Sequence, residues 1–320
     1  MEPEPPSAGR VPHGVFVGLS TLDIIQRVKE FPGRNAKATA LRQDVAGGGP
    51  ALNAAVVFSA LGGRATLVTR LGHGSISTVV REDLEACSVA LVDLADAGYQ
   101  PSVSTITVDD TTGERRIVST DALGGQRQLA QLLLPGEADV KAALDALGRA
   151  DVVHLDGHHP DLALTAAGWG RKRGIPRVVD AGRWKDVMAE LVPLATEVVC
   201  SADFAVPDCG GTLQWILDRG AELAAVTDGP APVRWLSRQG GGSVDMEQFR
   251  AVDTLGAGDF FHGAYSFART FGGAGRLEPA AALKFAGHIA ALKCAWPGTR
   301  EWLDGLAGSG PLDYLRTVRP

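Results

Sequence analysis

At 320 residues and 45% hydrophobic, the chain is long enough to bury one large core, or one core plus a small appendage. Its 31 basic and 37 acidic side chains leave a formal charge of -6, and no basic stripe stands out, so composition speaks against a nucleic-acid partner. No uninterrupted run of about 18 apolar residues occurs, which speaks equally against a membrane-spanning helix.

Residues 1–12 carry three prolines before Ser7 and two glutamates, without the basic start and apolar run of a signal peptide, so a disordered tail is expected there. Cys87, Cys200, Cys209 and Cys294 form no CxxC pair and suit neither zinc nor a disulfide framework, which predicts a reduced, cytoplasmic setting. Clustered glycines without a repeat period mark tight turns and backbone that approaches a ligand.

Val11 to Leu19 reads as a first strand, with Asp23 just beyond it. Residues 24–46 lack helical period and predict short strands. Gly47-Gly48-Gly49-Pro50 opens a helix over Ala51 to Leu61, which Gly62-Gly63 stops. A strand over Ala65 to Arg70 and a helix over Val79 to Cys87 follow. Ser102 to Val108 and Arg115 to Ser119 are rich in Val, Ile and Thr and are joined by Asp109-Asp110-Thr111-Thr112-Gly113, a hairpin signal. Then strand and helix alternate: strands at Asp151 to Leu155, Arg177 to Asp180, Glu197 to Cys200 and Leu223 to Thr227, helices at Asp161 to Arg173 and Leu213 to Arg219. Gly256 to Ala295 reads as mostly helical. The alternation implies one α/β domain over 13–320, a doubly wound and mostly parallel sheet flanked by helices. Two separated segments, about 24–46 and 99–120, would form a small β-sheet lid. Asp23, Gly157, Asp180 and Gly229 each follow a predicted strand, where open α/β sheets bind ligands.

The run Gly256-Ala257-Gly258-Asp259 places small residues and a carboxylate at the start of a helix. Bare amides there hold an anion, and an aspartate beside them can take a proton from a hydroxyl. Alone, the run reads equally well as a helix cap. Gly47-Gly48-Gly49-Pro50-Ala51-Leu52-Asn53 is a second glycine-rich helix entry, with Asn53 able to donate and accept toward a polyol. It is not a P-loop, and it misses the dinucleotide fingerprint because position 52 is Leu.

In this order, across an α/β body, the two clusters resemble the signatures of the ribokinase and phosphofructokinase-B (PfkB) family of carbohydrate kinases. Asp253-Thr254-Leu255-Gly256-Ala257-Gly258-Asp259-Phe260-Phe261 is similar to that family's C-terminal signature, and Gly47 to Gly62 to its N-terminal one. Val252 to Asp259, Ala286-Gly287-His288 and Lys293-Cys294 give a ketohexokinase-like flavour. The resemblance implies a ribokinase-like fold and ATP-dependent phosphorylation of a sugar. It makes Asp259 the base, Gly256, Ala257 and Gly258 the anion hole, and Asp23, Gly48, Gly49 and Asn53 the sugar site. Thr227 and Gly229 would lie near the ATP phosphates and Ala286 and Ala290 along the adenine pocket. Asp253 and Leu255 match positions that help bind a monovalent cation, K+ included. Mg2+ would come with ATP, and a homodimer through the lid is implied.

Departures fall mostly on the acceptor side. Pro50 replaces a polar sugar ligand, Gly72-His73-Gly74-Ser75 replaces a Gly-x-Asp turn, and Ser201-Ala202-Asp203-Phe204 stands where many members have Asn-x-x-Glu. Thr227-Asp228-Gly229-Pro230 carries Pro where a second glycine often follows. A nucleoside or other non-sugar kinase of this fold, or a ligand-binding relative that has lost catalysis, therefore stays open; a dehydrogenase is more distant. Among other polar residues, His158 reads as a substrate donor and Arg115 as a lid residue within reach of an anionic sugar. His154, His158 and His159 near Asp156 and Asp161 read as polar loop lining ahead of a metal site. Asp180 with Arg183 reads as a contact to ligand or as a surface ion pair. Phe260, Phe261, Tyr265 and Phe267 read as core.

Overall fold

A computed structural model describes residues 10–96, 98–120, 135–207, 210–247, 250–271, 277–308, 310 and 314. Most of the expected N-terminal tail, and Cys209, lie outside the described residues. In chain order the strands are β1 (His13–Val17), β2 (Thr21–Val28), β3 (Arg42–Gly48), β4 (Arg64–Thr69), β5 (Val89–Asp93), β6 (Ser102–Asp109) and β7 (Arg115–Ser119). They continue as β8 (Val152–Leu155), β9 (Arg177–Ala181), β10 (Glu197–Ser201), β11 (Leu223–Thr227), β12 (Val233–Ser237) and β13 (Gly240–Val244). The helices are α1 (Pro50–Ala60), α2 (Ser75–Ala86), α3 (Glu137–Ala146), α4 (Pro160–Lys172), α5 (Met188–Leu191), α6 (Thr212–Asp218), α7 (Ala257–Ala268), α8 (Pro279–Cys294) and α9 (Trp302–Gly308).

A nine-stranded sheet runs in the order β13-β12-β11-β10-β9-β8-β1-β4-β5, parallel from β11 through β5 and antiparallel at the β12 and β13 edge. Period-two alternation sends its side chains to two cores. Phe16, Leu67, Val152, Val178 and Val199 pack with α1, α7 and α8 on one face. Val15, Val17, Val68, Val153 and Val179 pack with α3 and α4 on the other. Burial on both faces explains why these strands read as continuous apolar runs.

A separate four-stranded sheet has the order β3-β2-β6-β7. The chain reaches it from the carboxyl ends of β1 and β5, so it stands over the edge of the large sheet where ligands bind in this architecture. Its strands extend slightly beyond the expected segments, starting at Thr21 and running to Gly48.

Several elements differ from the sequence expectation. Asp23 is the third residue of β2 and does not sit in a loop after β1, because the chain bends at Gly18 and starts a strand of the other sheet within three residues. Helix α2 begins at Ser75, earlier than its apolar pattern, whose first turn holds only Ile76. Strand β5, helix α3 and the β12–β13 hairpin were not foreseen. β5 is a short edge strand, α3 buries only Val140 and Leu144, and β13 opens with three glycines, which have low strand preference. The aromatic residues of α7 are buried as expected.

Candidate active site

The acceptor-side cluster grows from the β2–β3 pair. Thr21 Oγ1 donates to Asp23 Oδ1 at 2.6 Å, and Ser104, the register partner of Asp23 on β6, adds a second side-chain hydrogen bond. Burial nevertheless raises the Asp23 pKa, against those two hydroxyls. Gly48 is fixed by this carboxylate: a Cβ there would lie 2.0 Å from Asp23 Oδ2. Gly49 takes φ 96, and a Cβ there would lie 2.6 Å from the Leu19 carbonyl. Only glycine makes that turn without strain. Pro50 then starts α1, where its missing N–H costs nothing.

Asp156, fully buried at the end of β8, ties this cluster together. Its Oδ2 accepts the N–H groups of Leu19 at 2.8 Å and Ala51 at 3.1 Å, and its Oδ1 accepts that of His158 at 2.9 Å. His158 holds the carboxyl well below the usual range despite burial. Gly18 must be glycine here, since a Cβ would lie 2.2 Å from the Asp156 carboxyl. In the sequence, Asp156 stands out only as a neighbour of the histidines. A strand-end Asp followed by Gly157 was the available signal.

The phosphoryl-side cluster is the entry to α7. Gly256 adopts the left-handed conformation at φ 75 and delivers the chain into the helix, with Asp259 in the first turn. The Ala257 N–H donates to Thr254 O at 3.2 Å. Asn53 Nδ2 donates to Asp259 Oδ2 at 2.8 Å, which joins the two glycine-rich clusters directly. Asp259 has its pKa pushed up to about 7. Burial is the first cause; the charges of Asp180, Asp23 and Asp156 add to it, and the Asn53 amide opposes it. A carboxylic acid poised near neutrality is suited to proton transfer.

Asp180 pairs with His262 Nε2 at 3.2 Å, not with Arg183. Behind it, His154 meets His262 edge-on at 5.8 Å between ring centroids and contacts Ser266 Oγ at 3.3 Å; burial lowers the pKa of His154 to about 4. His159 is likewise lowered to about 4 by burial, and Asp161 pairs with the buried Arg70. Among the described residues, no group of three or more His, Cys, Asp or Glu is gathered to hold a metal ion. His158 lies half-buried, its Nδ1 3.1 Å from Asp156 Oδ1.

Four further predicted residues, Arg115, Ala286, Asp253 and Leu255, make the following contacts. Arg115 on β7 reaches back over the C-terminal signature, where Nη1 donates to Thr254 Oγ1 at 3.0 Å. Ala286 is fully buried in the core against α7, whereas Ala290, one turn on, keeps part of its surface exposed. At Asp253, of the pair Asp253 and Leu255, both carboxylate oxygens have partners. Asp253 Oδ1 accepts the Leu255 N–H at 2.9 Å, and Oδ2 accepts the Gly298 N–H at 3.1 Å and faces Arg27 Nη2 at 3.2 Å. Lys293 Nζ donates to the Asp253 carbonyl at 3.1 Å and stands 3.6 Å from Oδ1.

Thr227 ends β11 on the same edge of the parallel sheet as Asp180, with Oγ1 donating to Cys200 O at 3.2 Å; Gly229 follows at φ 51. Arg300 was not foreseen. It clamps the Gly47 turn, donating to Gly47 O at 2.9 Å and Asp83 Oδ2 at 2.7 Å, while Asp83 Oδ2 accepts the Gly47 N–H at 2.9 Å. Its sequence context, a lone Arg after Pro297-Gly298-Thr299, gives no signal of this role.

The family model of pfkB family carbohydrate kinases matches residues 12–304, and the chain belongs to that family. It is 26% identical over 306 residues to a ribokinase of Mus musculus, with 90% of each chain covered. The structure superposes on Arabidopsis thaliana ribokinase complexed with ribose and ATP at a TM-score of 0.69 and 17% identity, covering 96% of this chain and 99% of that one. A Methanocaldococcus jannaschii nucleoside kinase gives 0.72 and 16%, covering 97% and 100%. The fold is thus ribokinase-like, and the protein is an ATP-dependent phosphotransferase with an alcohol group as acceptor. No described helix is long and apolar enough to cross a membrane.

Proposed function

We propose that the protein transfers the γ-phosphoryl group of ATP to a hydroxymethyl group of a sugar, a ketohexose, ribose or a related molecule. One observation carries this reading: Asp259, with its pKa near 7, is hydrogen-bonded to Asn53 where the two glycine-rich clusters meet. The acceptor oxygen forms a bond to the γ-phosphorus as the bond from that phosphorus to the ADP oxygen breaks, and the acceptor proton passes to the Asp259 carboxylate. The amides at the entry of α7, at Gly256, Ala257 and Gly258, would stabilise the charge on the transferred group, the Ala257 N–H leaving its bond to Thr254 O to do so. Asp23 and Asn53 orient the acceptor, with Gly48 and Gly49 allowing its close approach and His158 at the rim. Thr227 and Gly229 serve the nucleotide phosphates, and Ala290 serves the adenine. Mg2+ bound to the phosphates would supply charge neutralisation there. The small sheet acts as a lid that excludes water as a competing acceptor.

The test is ADP release from ATP with fructose, ribose, sulfo-sugars and nucleosides offered in turn. A sugar is expected to raise turnover by orders of magnitude over ATP alone. Turnover with nucleosides only would replace the acceptor class, and no turnover with any polyol would overturn the reading. The exposed apolar residues Val45, Ile117 and Val118 on the lid are proposed to pack against a second copy. Sedimentation at micromolar concentration should then give a dimer. The free thiols of Cys87, Cys200 and Cys294 support a reduced, cytoplasmic setting.

A further inference from the structure

We infer that Lys293 supplies, as a built-in ammonium, the positive charge beneath the Asp253–Gly256 loop, and that the protein therefore works without a monovalent metal ion. This rests on the phosphoryl-transfer reading, because that loop leads into the amides proposed to hold the transferred group.

The geometry is specific. Lys293 lies at the end of α8 and is 1% exposed, an unusual burial for a lysine. Its Nζ donates to the Asp253 carbonyl at 3.1 Å, stands 3.6 Å from Asp253 Oδ1, and lies 5.6 Å from the centroid of the Phe260 ring. Phe260 is the residue after Asp259, so the ammonium sits against both sides of the signature turn. The loop is further pinned to α8 where the Cys294 carbonyl accepts the N–H groups of Val252 at 2.7 Å and Asp253 at 3.1 Å.

A metal ion needs bare oxygens, and at Asp253 all three are engaged. Asp253 Oδ1 has the Leu255 N–H, Oδ2 has the Gly298 N–H and Arg27, and the Asp253 carbonyl has Lys293 itself. A second cation beside Lys293, Arg27 and Arg115 would meet like charge at short range in a site with little water. Lysine does with one side chain what an ion would do with several oxygens. It neutralises Asp253 and fixes the loop, without depending on ionic composition.

The experiment uses the whole protein with two readouts that need no acceptor: melting temperature and affinity for a non-hydrolysable ATP analogue with Mg2+. Each is measured in KCl and in choline chloride at one ionic strength of about 0.1 M, so that screening is equal. In the wild type, both readouts should be the same in the two salts. Lys293→Ala empties the position. In choline it should bind the analogue roughly tenfold more weakly, and K+ should restore most of that loss, within the range usual for coupled sites. Lys293→Met, which fills the space without charge, should be weakened in both salts alike. A wild type tightened or stabilised by K+ would overturn the inference, and that measurement does not depend on any variant folding. So would a folded Lys293→Ala protein that shows no response to K+. If the wild type fails to bind the analogue at all, the kinase reading falls instead, while the melting comparison still reports on the lysine.

Discussion

The two sheets share residue types and differ in what covers them. The nine-stranded sheet is buried on both faces between two large cores. The four-stranded sheet keeps a small core of Ile25, Ile106 and Val108, and its outermost strand β7 is exposed along most of its length. Opening free energy follows buried apolar contact, so the small sheet belongs to the low-stability end of the molecule. The large sheet and its helices carry Asp156, Asp180 and Asp259, and the proposed proton transfer to Asp259 needs its position held to within a fraction of an ångström. The small sheet carries Asp23, which lies between both regimes. A rigid half that holds charge and a lightly anchored half that covers it is the division of labour a closing site needs.

The sharpest way to break this comparison is at the rigid half. Asp259→Asn should lower kcat by roughly 10²–10⁴-fold with affinity for an ATP analogue little changed; near-normal turnover would remove Asp259 as base. In the wild type, kcat/KM should rise from pH 6 to pH 8 with a midpoint near the Asp259 pKa of about 7, since the base must be ionised. Phe58, packed between Phe16 and Phe267, tests the core. Phe58→Ala should cost about 3–5 kcal/mol in denaturant unfolding. Ile106→Ala in the lid should cost less, about 1–3 kcal/mol, and should raise KM more than it lowers kcat. Equal costs at the two positions would refute the contrast.

A smaller effect comes from the ionisation of Asp259. Its folded pKa is raised from 3.8 to about 7 by burial and like charge. The stability this confers is fully present below the unfolded pKa and is lost as pH rises through about 7. At pH 8 the folded state therefore holds an ionised, poorly solvated carboxylate. Asp259→Asn should raise stability there by about 1–3 kcal/mol, discounted for the part of the side chain open to solvent, and the gain should shrink toward pH 5. The smallest effect is expected at the lid surface. Val118, 71% exposed, should tolerate Val118→Lys within about 0.5 kcal/mol in a monomer, while the proposed dimer should dissociate.

The large sheet was legible because its parallel strands are apolar runs separated by helical periods, and the glycine-rich turns announced both helix entries. What escaped detection was edge or weakly amphipathic. Strand β13 opens with glycines, β5 has one buried residue, and α3 has two. The Asn53–Asp259 bond joins residues 206 apart and has no local signature. Arg115 is instructive: a basic residue on a lid hairpin suggests an anion in the pocket, but its reach carries it to Thr254. Asp253 is a cation ligand only in what the family resemblance implies; Lys293, which donates to its carbonyl, comes from a helix 40 residues later and has no local signal.

The Asp156 carboxylate holds the amides of Leu19 and Ala51, 137 and 105 residues upstream of it. Those upstream segments leave the ribosome long before this anchor exists, and the Leu19 and Ala51 amides lack it until β8 emerges. Asn53 waits longer still for Asp259. Such long-range closures slow folding and leave early segments uncommitted. The order of synthesis thus acts as a safeguard: a partly made chain can have its first strands in place, yet it has no assembled site with which to consume ATP.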